Sequence, residues 1–171
     1  MDCMLYLMRH GIAAEPAVGI NDAHRALTDE GVRKTTRVAV GLKRLDMELD
    51  GILSSPYRRA EETARLVADV LDNNLAVELY PPLAAGAAPQ DILKCLNPTG
   101  RVNRLLLVGH QPDLGDLASY VLTGSASRAS LPFKKAAVAA ISLDSLPPRN
   151  PGLLEWFLTP GQLRCIGEGI K

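Results

Sequence analysis

Strand-type runs alternate with helix-type segments along almost the whole chain, and this alternation constrains the fold more than any other feature. Residues 3–8 (CMLYLM), 51–54, 75–79 and 104–108 (RLLLV) are short and mostly apolar, and read as strands. Between them, 29–45 carries Val32, Thr35, Val38, Ala39, Leu42 and Leu45 at helical spacing, with Thr28 as N-cap before the acidic pair Asp29 and Glu30. Residues 57–71 place Ala60, Ala64, Val67 and Leu71 on one helix face, and 90–96 and 112–122 read as two further helices. Two strands, 138–143 and 154–158, close the sequence, antiparallel because no helix fits between them. The stretches 81–89 and 146–152 read as surface connections. The pattern predicts one α/β domain over residues 1–171, with a mostly parallel central sheet covered by helices on both faces.

Composition narrows the function classes. The chain has 171 residues, long enough for a real core, and its 19 basic and 19 acidic residues cancel. That balance argues against a broad grip on nucleic acid, which needs a clustered basic excess. No apolar run reaches the roughly 20 residues of a membrane span. The opening MDCMLYLMRHG lacks a basic leader region, so a cytoplasmic protein is expected. Cys3, Cys95 and Cys165 are far apart and form no C-x-x-C pair, which gives neither a disulfide framework nor a zinc site.

Ligands of open α/β sheets bind at the carboxyl ends of the strands. Three strand ends here carry unusual residues: Arg9-His10-Gly11, Ser54-Ser55-Pro56-Tyr57-Arg58-Arg59-Ala60, and Gly109-His110-Gln111-Pro112. Two imidazoles and two guanidiniums on one sheet edge suit a phosphoryl group. Guanidinium forks hold phosphate oxygens with paired hydrogen bonds, and a neutral imidazole can attack phosphorus. Gly11 is expected to let the backbone pass close to the ligand.

The blocks Leu7-Met8-Arg9-His10-Gly11, Leu27-Thr28-Asp29-Glu30-Gly31, Ser54 to Ala60 with Thr63-Ala64, and Val108 to Leu114 together resemble the signature of the histidine phosphatase superfamily, with its phosphoglycerate mutase-like fold. Within it, Asp22 with Arg25-Ala26-Leu27-Thr28, Ala136 to Asp144 and Leu154-Glu155-Trp156-Phe157 are similar to the small SixA-type phosphohistidine phosphatases. The resemblance implies His10 as nucleophile, Arg9 and Arg58 on the phosphoryl oxygens, and His110 as a transition-state donor. Ser54, Arg25 and Asp22 would lie at the pocket rim, and no metal or other cofactor would be needed.

One departure shapes the substrate expectation. Larger members of the superfamily carry a general-acid Glu in a helical cap after the third strand. Here that region reads Pro81-Pro82-Leu83-Ala84-Ala85-Gly86-Ala87-Ala88-Pro89, without a carboxylate. A poor alkoxide leaving group wants a positioned acid, worth about 10²–10⁴-fold, whereas the imidazole of a phosphohistidine needs less help. An uncapped site also admits a residue on a folded protein. The expected substrate is therefore phosphohistidine on a phosphotransfer protein, with Asp22 as the substitute acid. The alternatives are a small phosphate ester turned over by the same chemistry, and a phosphate-binding docking module with little turnover. Arg59, His24 and the Lys134-Lys135 pair read as solvated, Asp113 as a helix-start residue, and Trp156 as core.

Overall fold

The computed structural model describes residues 3–19, 21–72, 74–94, 96 and 102–169. The first strand, β1 (Cys3–Arg9), is followed by α1 (Asp29–Arg44), β2 (Gly51–Ser54), α2 (Arg58–Leu71) and β3 (Val77–Leu79). Next come α3 (Pro89–Lys94), β4 (Arg104–Gly109), α4 (Asp113–Thr123), β5 (Val138–Leu143), β6 (Leu153–Leu158) and α5 (Pro160–Glu168). Short 3₁₀ turns lie at Asp22–His24 and Pro81–Leu83.

The strands form one sheet in the order β3-β2-β4-β1-β5-β6. β3, β2, β4 and β1 run parallel; β5 is antiparallel to β1 and, as the sequence predicts, to β6. Continuous apolar runs suit strands buried on both faces, because successive side chains alternate between them. Leu5, Leu7, Leu105 and Leu107 accordingly pack with Ile92, Leu114, Leu117 and Phe133 on the α3–α4 side. Tyr6, Met8, Leu106 and Val108 pack with Val38, Leu42, Ala64, Val67 and Leu163 on the side of α1, α2 and α5. Trp156 lies partly buried against this second group, with its ring 6.0 Å from that of Tyr6.

The helix starts follow simple capping chemistry. The Thr28 hydroxyl accepts from the Gly31 amide at 3.0 Å, closing the first turn of α1. The last helix, α5, is absent from the strand-and-helix reading of the sequence. Its Pro160-Gly161 opening looks like a loop, yet Pro at the first helical position is compatible with a helix, and Thr159 and Gln162 form a reciprocal capping box. α5 then lies close against α1. A Cβ on Gly41 would meet the Leu163 carbonyl oxygen at 2.0 Å, so glycine is what lets the two backbones approach. The connection at 81–89 is also less superficial than expected, because Leu83 is buried in the core. Cys95 lies outside the described residues, and Cys165 is exposed on α5.

Candidate active site

Strands β1 and β4 are neighbours in parallel register, with Arg9 beside Gly109, so their following residues emerge together at the carboxyl edge. The His10 amide donates to the Gly109 carbonyl at 3.1 Å. The His10 and His110 rings stand 5.2 Å apart between centroids, and both side chains are buried. The expectation that the two motif histidines share one crevice therefore holds geometrically.

His10 is oriented from below. Its Nδ1 lies 2.7 Å from the Gly11 carbonyl, which accepts only if Nδ1 carries the proton. Nε2 is then left with a lone pair. Burial first, and then the charges of His110, Arg59 and Arg9, lower the His10 pKa to about 3, against an opposing pull from the Gly11 carbonyl. The ring is neutral at any physiological pH.

The guanidinium that meets this ring belongs to Arg59, not Arg58. Arg59 Nε donates to His10 Nε2 at 3.2 Å, Nη1 to the Asp22 carbonyl at 2.7 Å, and Nη2 to the Asp22 carboxylate at 2.9 Å. Its Nη2 also reaches 3.5 Å from His110 Nδ1, and its guanidinium sits 5.0 Å from the centre of the Tyr57 ring. Arg58 points to the outer face of α2 and donates to Glu62 at 2.7 Å. The reason is helical register. The buried stripe of α2 is Arg59, Ala60, Thr63, Ala64, Val67 and Ala68, so position 58 falls outside it and position 59 within it. The i,i+4 pair Arg58–Glu62 was the sequence signal for the solvated side.

Arg9 is the last residue of β1, next to His10. Its Nη1 donates to the Phe133 carbonyl at 2.7 Å, while its buried Nε has no partner among the described residues. Burial and then the nearby Arg59 charge lower its pKa, a sign of a desolvated cation facing like charge. Such a pair of guanidiniums calls for an anion between them.

Of the three expected rim residues, Asp22 and Arg25 border the site and Ser54 does not. Ser54 is fully buried and donates to the Ser55 carbonyl, so it satisfies backbone and does not reach the site. Ser55 is the serine that matters: its Oγ lies 2.8 Å from His110 Nε2 and accepts from the Tyr57 amide at 3.2 Å. Burial first, then Arg59, lowers the His110 pKa to about 4, opposed by Asp22.

Arg25 sits at the edge, donating to Asp22 and to the Ala14 carbonyl, each at 2.7 Å. Burial pushes the Asp22 carboxyl upward, but its bonds to Arg59 and Arg25 outweigh that and hold it below the usual carboxylate range. Asp22 is thus an ionised anchor for two arginines, and an acid role in the free protein does not fit it.

Gly11 also has a different reason from the one expected. A Cβ there would lie 2.4 Å from Thr35 Oγ1, while the Gly11 amide donates to Thr63 Oγ1 at 2.9 Å. The close packing of Thr35, with Leu27 at 3.2 Å, is what a side chain at this position would disturb. His24 is exposed, and Asp113 opens α4 and accepts from the Gly86 amide at 2.7 Å. Among the described residues no group of three or more His, Cys, Asp or Glu is placed to hold a metal ion, and no helix is long and apolar enough to cross a membrane.

An α/β sheet whose carboxyl edge brings together two buried imidazoles, the buried Arg59 and the half-buried Arg9 has the charge and donors to hold an oxyanion. Residues 5–84 match the histidine phosphatase superfamily (branch 1). The chain is 37% identical over 145 residues to an uncharacterized protein of Picosynechococcus sp. strain PCC 7002, covering 80% of this chain and 83% of that one. It is 29% identical over 163 residues to the phosphohistidine phosphatase SixA of Escherichia coli, covering 94% of this chain and 96% of SixA. The solved structure of the protein histidine phosphatase SixA complexed with tungstate matches with a TM-score of 0.81 at 28% identity, over 94% of this chain and 99% of that one. The chain belongs to the histidine phosphatase superfamily.

Proposed function

We propose that residues 1–171 act as one cytoplasmic hydrolase domain that cleaves a phosphoryl bond through a phospho-His10 intermediate. The observation that carries this reading is the His10 ring itself: Nδ1 is tied to the Gly11 carbonyl, and the Nε2 lone pair is turned toward Arg59, whose Nε donates to it until a phosphoryl group takes its place. In the first step His10 Nε2 forms a bond to phosphorus as the bond from phosphorus to the leaving atom breaks. Arg9 and Arg59 hold the equatorial oxygens, and the buried His110 ring stands beside them. In the second step water attacks phospho-His10, the P–Nε2 bond breaks, and inorganic phosphate leaves with His10 neutral again. The proton lost by water passes to solvent or to the His110 ring. Relatives support the site's preference for a tetrahedral oxyanion, since the SixA matched above was solved with tungstate.

The substrate we propose is phosphohistidine on a phosphotransfer protein. Asp22 is held ionised by Arg59 and Arg25 and so supplies no proton to a leaving group. That favours a leaving group, such as an imidazole, that departs with little help. The E. coli relative named a phosphohistidine phosphatase supports the same choice. A panel of a phosphohistidine phosphotransfer protein, phosphoramidate and several alkyl phosphomonoesters tests it. The expected result is kcat/KM for the two P–N substrates at least about 10²-fold above the esters. An ester turned over faster than either P–N compound would assign the site to small phosphate esters.

A further inference from the structure

A second feature borders the proposed active site without belonging to it. A cavity of about 400 Å³ opens between α1, α5 and the turn that precedes β5, and Arg9 at the end of β1 is one of its neighbours. Lys34, Lys134, Lys135 and Arg164 also line it, and no carboxylate does. Lys34 is paired with Glu30 at 2.6 Å, but Lys134, Lys135 and Arg164 have no ion-pair partner among the described residues. A chain of zero formal net charge thus gathers uncompensated cations around one opening.

The lysine pair is held in place by an unusual turn. The Ala137 amide donates to the Lys134 carbonyl at 2.8 Å, and Ala136 has φ 65°, a left-handed conformation disfavoured for any residue with a Cβ. Its amide is shared between the carbonyls of Arg9 and His10, at 3.0 and 3.1 Å. Strain of this kind persists where the surroundings fix it, and it collects at binding sites. Here it fastens Lys134 and Lys135 to the backbone of the histidine proposed as nucleophile. Thr35, 1% exposed and with a hydroxyl that has no hydrogen-bond partner among the described residues, borders the same cavity.

We infer that this cavity docks an acidic segment of the phosphorylated protein substrate, its Asp and Glu side chains meeting Lys134, Lys135 and Arg164 while the phosphoryl group reaches His10. This deepens the proposed phosphohistidine activity and rests on it. The lining also includes Ile12, Val38, Ala136 and Pro160, which suits the carbon stems of carboxylate side chains better than a bare inorganic ion. Flexible ammonium groups match carboxylates as point charges. A nucleic-acid strand would need a longer basic track than one cavity in a neutral chain provides.

The test uses the full chain and two phosphohistidine peptides of equal length, one with acidic and one with neutral residues flanking the phosphohistidine. Wild-type protein should show a kcat/KM about tenfold higher for the acidic peptide, falling with added salt. The variant Lys134→Glu, Lys135→Glu, Arg164→Glu should lose that preference and keep its kcat/KM on phosphoramidate within about twofold. Binding of the dephosphorylated acidic peptide, followed by fluorescence anisotropy, should weaken about tenfold in the same variant. No preference in wild type, or a preference that survives charge reversal, would overturn the inference. So would a single-stranded oligonucleotide that displaces the acidic peptide at lower concentration than the unlabelled peptide does. If phosphoramidate and both peptides go unhydrolysed, the proposed activity fails, and the anisotropy comparison still decides the docking site.

Discussion

Neighbouring arginines with the same chemistry occupy opposite environments in this protein, and a residue-scale test separates them. Arg59 donates to His10 and Asp22 from a buried position, whereas Arg58 pairs with Glu62 in solvent. Arg59→Ala should lower kcat by about 10²–10³-fold, as expected for removal of a buried donor to developing charge. Arg58→Ala should leave steady-state rates within about twofold, because exposed pairs contribute little. Equal losses in the two variants would contradict the placement. Asp22→Asn should slow good and poor leaving groups alike, since it loosens Arg59 without removing an acid, and a leaving-group series reads that directly. The sequence motifs bring His10, His110 and Arg9 to one edge, because each follows a strand whose apolar run is plain. They do not distinguish Arg58 from Arg59 or Ser54 from Ser55. Those choices depend on side-chain direction at a strand end and on helical phase, a difference of one residue that motif spacing alone does not resolve.

At the scale of elements, the parallel strands and their helices were legible because buried runs and amphipathic stripes differ in period. β3 is shorter than its apolar stretch, since it lies at the sheet edge and pairs only with β2. α5 was hidden by its own start signal, a Pro-Gly pair that also marks turns. Its capping box gives a direct check. Thr159→Ala should cost about 1 kcal/mol of unfolding free energy, measured by denaturant titration. Gly41→Ala should cost about 1–3 kcal/mol, because the added methyl meets the Leu163 carbonyl and the α1–α5 contact must open. A neutral Gly41→Ala would mean the two helices are not packed at that distance.

Over the whole molecule, two buried neutral imidazoles couple folding to pH. Their folded pKa values, about 3 for His10 and about 4 for His110, lie below the ordinary value near 6.5. The unfolded chain therefore binds protons between pH 6.5 and these values that the folded chain does not. Stability from the two rings is complete above about pH 6.5 and lost as pH falls through that interval, by up to about 1.4 kcal/mol per pH unit for each ring. Unfolding curves at pH 7 and pH 5 should show this loss, and a His10→Ala, His110→Ala double variant should show a smaller one. The same neutral state is what the proposed nucleophilic role of His10 requires across that range, and the functional account stands on that role. Rapid acid-free quenching of the enzyme with radiolabelled phosphoramidate tests it most directly. We expect a phosphoryl adduct on His10, labile in acid and stable in base, that forms and decays at rates matching turnover and is absent from His10→Ala. Turnover with no such adduct, or an active His10→Ala protein, would contradict it.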